Sequence, residues 1–189
     1  QDIGFPGIPG GVVVSGGTWT LTASGADVWG TADAFQYASQ PLTGDGTIVA
    51  LVVWLDGTNP WAKAGLMMRD TLAPDSAHAF VLVTPGSNGL AFQRRLTAGD
   101  VSAHTPGPAI NAPVWLSLTR SGTTVVAAWS LDGATWTEMG RDTVALGTTI
   151  SVGLAVTSHE DGSLATATFD NVRVTQPTTP PTPGLPSPW

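Results

Sequence analysis

Cleaving a glycosidic bond takes two carboxyl groups facing each other across the sugar, one of them usually with a raised pKa. The chain has twelve aspartates but only two glutamates, Glu138 and Glu160, both near expected hairpin ends. The aspartate pair Asp27/Asp33 is the other arrangement that could serve. Aspartate in such loops more often caps a turn than performs chemistry. Neither a Gly-x-Ser-x-Gly elbow nor a His-Glu-x-x-His helix occurs. With no cysteine there is no thiol nucleophile, no thiolate metal site and no disulfide framework. His159 has no second histidine at ligand spacing, which argues against zinc. The expectation is a protein without catalytic activity.

The elements that would carry these residues are strands. Of 189 residues, 23 are glycine and 15 proline, which interrupts nearly every window long enough for a helix. No window sustains a 3.6-residue apolar period. At 42% hydrophobic the chain can still bury a core. Short apolar or alternating runs recur at Val12–Val14, Trp19–Ala23, Thr47–Trp54, Ala64–Met68, Ala79–Thr84, Leu90–Arg95, Val114–Arg120, Thr124–Trp129, Ser151–Thr157 and Ala165–Val174. Asp-Gly, Pro-Gly and Ser-Gly pairs separate them, as tight hairpins require. About ten antiparallel strands predict an all-β sandwich over residues 1–174. Residues 175–189, TQPTTPPTPGLPSPW, carry six prolines and no charge and read as an extended Pro/Thr-rich linker or docking tail, with Trp189 as an anchor. The net charge of -7 argues against a nucleic-acid or anionic-membrane partner. No apolar run reaches the roughly 18–20 residues of a membrane span, and no signal-peptide pattern stands at Gln1.

Several stretches together resemble a known family. They are GADVWGTADAFQY (25–37), LTGDGTIVA (42–50), WAKAGLMMRD (61–70), AFQRR (91–95), PVWLSLTRSG (113–122), SLDGATWT (130–137), VGLAVTSH (152–159) and TFDNVRV (168–174). In this order they resemble the concanavalin A-like, laminin-G-like jelly-roll accessory domains of secreted bacterial multidomain proteins. The resemblance implies a jelly-roll fold, a secreted or cell-surface location and a place beside glycoside hydrolases or surface modules. The Glu-x-Asp-x-x-Glu strand of the glucanases that share this fold is absent.

Against that background the polar and aromatic residues can be sorted. Alternation in 61–70 puts Ala62, Ala64, Leu66 and Met68 on the core face and Lys63, Met67 and Arg69 on the other. If the next strands are neighbours, Lys63, Arg69, His78 and Arg95 form one stripe across a sheet face. In lectins of this fold such a face, or its rim, holds the sugar. The stripe would then supply hydrogen bonds to hydroxyls or carboxylates, or else simply neutralise loop aspartates. Trp29, Trp54 and Trp61, with Phe35 and Tyr37 nearby, are candidates for stacking on a sugar ring or for lids over the core. Trp115 and Trp129 read as core. Ser-x-Asp-Gly-x-Thr-Trp (130–136) resembles a shortened Asp-box turn, with Asp132 capping backbone N–H groups and Trp136 packed beneath.

Asp27, Asp33 and Asp170 are candidate ligands for a structural calcium ion, Asp170 because Phe-Asp-Asn-Val resembles a calcium-holding terminal strand of jelly-roll binding modules. A strand bend in which Asp170 and Asn171 satisfy backbone donors is the alternative. The sequence therefore points to a non-catalytic extracellular recognition module for polysaccharide or glycan. The rival is a self-assembling surface or filament protein, in which the glycine-rich N-terminal segment (4–11) and the C-terminal tail dock onto neighbouring subunits.

Overall fold

The computed structural model describes residues 1–57 and 59–177, so the docking tail and the Trp189 anchor lie almost wholly outside the described residues. In chain order the strands are β1 (Asp2–Ile3), β2 (Gly11–Ser15), β3 (Thr18–Ala23), β4 (Val28–Trp29), β5 (Ala32–Asp33), β6 (Phe35–Thr43), β7 (Gly46–Asp56) and β8 (Lys63–Arg69). They continue with β9 (His78–Val83), β10 (Leu90–Arg95), β11 (Ala103–Pro106), β12 (Val114–Ser121), β13 (Thr124–Ser130), β14 (Thr137–Thr143), β15 (Thr149–Thr157) and β16 (Ala165–Thr175). One sheet, the first, runs β1-β6-β15-β8-β9-β10-β11 and the second β14-β13-β12-β7-β16-β3-β2. Every pairing described is antiparallel. The fold is the expected sandwich, and all ten expected strands coincide with strands of the structure to within a residue or two.

Alternation fills the space between the sheets. Ala64, Leu66 and Met68 of β8, Val81 of β9, Phe92 of β10 and Val152, Leu154 and Val156 of β15 meet Ile48, Ala50 and Val52 of β7, Leu116 and Leu118 of β12 and Phe169 of β16. All are essentially inaccessible to solvent, which is what an inward face of period two must be. The first sheet has a second apolar layer on its far side, where Ile3, Val28, Phe35, Tyr37, Met67, Phe80, Leu82, Ala91 and Ala155 pack under the chain segment around β4 and β5. Both faces of this sheet are thus covered, which explains why every residue of β8 and β9 is buried.

Strands β6 and β14 escape the sequence reading for a physical reason. Pro41 interrupts the alternation of β6, and it is tolerated because the outer neighbour β1 pairs only with Phe35 and Gln36. Charged Glu138, Arg141 and Asp142 mark β14 as an edge, which discourages pairing with other chains. Trp115 corrects an expectation: it points out of the second sheet and is half-buried, whereas Trp129 does pack against the core. Phe169→Ala would leave an interior void, with an expected loss of about 3–5 kcal/mol. Urea denaturation should show a lower midpoint at unchanged slope.

Candidate functional site

The stripe expected from alternation exists, but it is not a surface. Arg69 of β8 pairs in register with His78 of β9, and His78 with Arg95 of β10. Over them lies the β4–β5 ribbon, whose inward residue Asp33 enters the sheet face. The Asp33 carboxylate accepts two bonds from Arg95 (Nη2 to Oδ1 at 2.7 Å, Nη1 to Oδ2 at 2.9 Å) and one from Arg69 Nη1 at 2.9 Å. His78 Nδ1 stands 3.6 Å away, and none of these side chains reaches solvent. One carboxylate between two guanidinium groups leaves a positive charge over. Backbone carbonyls absorb it: Thr71, Ala73, Pro74, Ser76, Trp29, Gly30 and Asp100 all accept from the two arginines. Those carbonyls belong to the ribbon, to the loop after β8 and to the loop after β10, so the cluster ties three segments to one sheet.

Burial drives the His78 imidazole down to about 4, with Arg69 and Arg95 adding to the effect and Asp33 opposing it. The histidine is therefore neutral at physiological pH. Arg69, His78 and Arg95 are closed off from any ligand, so of the two roles the sequence left open for the stripe it is the second, neutralising a loop aspartate, that Arg69 and Arg95 take through Asp33. Phe35 and Tyr37 are buried in the second apolar layer, where the Tyr37 hydroxyl donates to the Met67 and Ser151 carbonyls. Trp54 projects from the outer face of the second sheet, because a bulge opposite Thr168 and Phe169 shifts the alternation of β7. The calcium candidates are dispersed as well. Asp33 is saturated by arginine, Asp27 pairs with Lys63, and Asp170 accepts a bond from Thr18 Oγ1. Among the described residues no three His, Asp or Glu side chains converge on a metal position.

At the rim of the ribbon the remaining candidates do converge. Trp29, Trp61, Lys63 and Asp27, joined by Gln93, His104 and His159, line a cleft of about 450 Å³. Trp29 sits at the tip of the ribbon, where Gly30 at φ 58° turns the chain back. Trp61 is held by its loop, its N–H donating to Asn59 Oδ1 at 2.9 Å while Asn88 Nδ2 anchors the Pro60 carbonyl at 2.8 Å. Both indoles stand nearly perpendicular to the His104 ring, 6.2 and 6.3 Å from it, and both remain more than a third exposed. Gln93 Nε2 donates to His104 Nδ1 at 3.3 Å, which leaves the proton of the neutral ring on Nε2. Partial burial, then Lys63 and Arg94, holds His104 below the ordinary histidine value.

The floor is ionic. Lys63 Nζ donates to Asp27 Oδ1, and His159 Nε2 lies 3.1 Å from Asp27 Oδ2. Burial lowers the Lys63 pKa, and Asp27 works against that shift. Among the described residues Asp27 is the one carboxylate lining the cleft, so they do not assemble there the facing pair that hydrolysis requires. Two buried polar atoms of lining residues, Gln93 Oε1 and His159 Nδ1, have no hydrogen-bond partner. Sequence reasoning missed Gln93, His104 and His159 as site residues. Gln93 was legible, since alternation in β10 puts it on the same face as Arg95.

No family model and no curated protein matches the sequence. Solved structures match the fold. A functionally unknown protein from Saccharomyces cerevisiae superposes with a TM-score of 0.73 at 20% identity, over 92% of this chain and 95% of that one. The carbohydrate binding module CBM66 from Bacillus subtilis gives 0.60 at 16% identity, over 89% and 92%. A xylan beta-1,4-xylosidase from Bacillus halodurans gives 0.63 at 15% identity over 88% of this chain, which spans only 38% of the enzyme. The chain thus shares the β-sandwich of a carbohydrate-binding module and of part of a glycoside hydrolase.

Two outcomes test the buried cluster. Asp33→Asn keeps the shape but leaves two buried cations without their anion, and should cost about 3–5 kcal/mol in chemical denaturation. Because the folded His78 value lies below the unfolded 6.5, the unfolded chain takes up a proton that the folded one refuses. Stability should fall by up to about 3 kcal/mol as pH drops from 6.5 towards 4, and His78→Gln should flatten that slope.

Proposed function

We propose that the chain is a non-catalytic recognition module and that the Trp29–Trp61 cleft binds carbohydrate. The observation that carries this reading is a cleft of about 450 Å³ walled by two indoles that remain more than a third exposed, with the His104 ring between them. The indoles offer faces to the C–H side of a pyranose or furanose ring. His104 Nε2–H, with its Nδ1 already engaged by Gln93, donates to a ring hydroxyl. Sharing a fold with a carbohydrate binding module supports the assignment.

Affinity electrophoresis against soluble xylans, mannans, β-glucans, fructans and galactans tests it. At least one should retard the protein, and Trp61→Ala should weaken that interaction about 30-fold, the effect of removing an aromatic anchor worth about 2 kcal/mol. A folded sample retarded by none refutes the reading.

A second reading, self-association, is favoured by one edge. Strand β2 pairs with β3 on one side only and exposes Val12, Val13 and Val14 with no charge, proline or bulge to guard it. If it pairs with a second copy, light scattering should show a concentration-dependent dimer that Val13→Lys abolishes. A monomer at every concentration excludes it.

A further inference from the structure

A second aromatic groove lies on the outer face of the second sheet, away from the ribbon. It measures about 330 Å³, and Trp115, Trp136, Asn171, Arg173 and Thr175 supply its walls. Two local devices build it. The first is the turn between β13 and β14. Asp132 Oδ1 accepts from Ala134 N at 2.8 Å, Thr135 N at 2.7 Å and Ser130 Oγ at 2.9 Å, and Thr135 Oγ1 donates to Oδ2 at 3.0 Å. These donors hold the carboxyl well below the usual range, Thr135 N–H foremost. The locked turn lays Gly133 on the Trp115 indole, where a Cβ would come within 2.8 Å of the ring, so Trp115 and not the expected Trp136 packs beneath the turn, while Trp136 stays partly exposed and lines the same groove.

The second device is a bulge in β16. Ala165, Ala167 and Phe169 point into the core, and then Val172 and Val174 do. One extra residue at Asp170–Arg173 has reversed the alternation, with Asn171 at φ 54°. Without that reversal Asn171, Arg173 and Thr175 would face the core. With it, all three face out, into the groove. Bulges in this position serve to re-aim side chains. The arginine it re-aims differs from the rest. Lys63, Arg69, Arg94, Arg95 and Arg141 each pair with a carboxylate, and Arg120 donates to the Gly122 and Gly147 carbonyls. Arg173 alone, among the described residues, has neither kind of partner.

The geometry points to a second ligand site in this groove, for a single sugar residue that carries a carboxylate. The Trp136 indole takes the C–H face of the ring and the Arg173 guanidinium takes the carboxylate. Asn171 and Thr175 reach the hydroxyls. The volume is at the small end for ligand pockets, about 300 Å³ upwards, and suits one ring. The chain's net charge of -7 opposes a polyanion, so the matching ligand is a lone uronate at a chain end or branch. This site lies on the opposite sheet from the Trp29–Trp61 cleft and does not depend on it.

Titrating the isotope-labelled full chain with methyl β-glucuronide and, separately, methyl β-glucoside tests this through the tryptophan indole N–H resonances. The Trp115 and Trp136 signals should shift saturably across the millimolar range with the glucuronide and at least about tenfold more weakly with the glucoside. Arg173→Gln should weaken the glucuronide about tenfold, the loss of one charge-assisted contact. Trp61→Ala should leave this titration unchanged. Equal response to both probes, or indifference to Arg173→Gln, overturns the proposal. Shifts confined to Trp29 and Trp61 overturn it too while sparing the first cleft. So does a change in the Trp115 and Trp136 signals when residues 178–189 are deleted without sugar, because the chain's own Pro-rich segment would then fill the groove.

Discussion

The buried carboxylate of Asp33 between Arg69 and Arg95 is the interaction on which the functional face depends. Without it, the first sheet would present two guanidinium groups on either side of His78, an anion-binding surface. With it, the protein's own carboxylate takes the place a ligand's would have. Ion clusters of this kind are not efficient stabilisers, since apolar replacements often match them. Their contribution is to position. The ribbon buries little apolar surface of its own, essentially Val28. What fixes it over the sheet is the set of bonds that Arg69 and Arg95 make to Asp33 and to the carbonyls of three segments.

The cleft inherits its shape from that clamp. Arg95 holds the Trp29 and Gly30 carbonyls directly, and so places the indole that forms one wall. The opposite wall, Trp61, is fixed separately through Asn59 and Asn88. Between them stands a neutral His104 with its Nδ1 already engaged, and below lies the Asp27–Lys63–His159 floor. Two indole walls, a histidine donor between them and an ionic floor make up the cleft.

Much of this was legible in the sequence, and its gaps have clear causes. Alternation in 61–70 correctly set Lys63 and Arg69 opposite the core face, and the register carried the stripe through His78 to Arg95. What alternation cannot show is whether a loop covers that face. Asp33 reads as one more turn aspartate until the ribbon folds it inward. Trp54 was misplaced because a single-residue bulge in β7, which no local pattern announces, reverses the facing of what lies beyond it, whereas the strand bend read as an alternative at Asp170 and Asn171 is where the bulge of β16 falls. His104 escaped because β11 is a four-residue edge strand with weak periodicity. Trp29 and Trp61, by contrast, were recognisable as loop tryptophans, and the fold brings both to one cleft.

The central claim is that the clamp sets Trp29 opposite the separately anchored Trp61, so that the two indoles can take a sugar ring between them. Intermolecular nuclear Overhauser contacts between a retained oligosaccharide and the labelled protein test it most directly. The account predicts contacts from sugar C–H protons to the rings of Trp29 and Trp61 and to His104, while the Arg69 and Arg95 side chains stay shielded from solvent. Contacts found instead to those arginines, with the ribbon displaced, would contradict it.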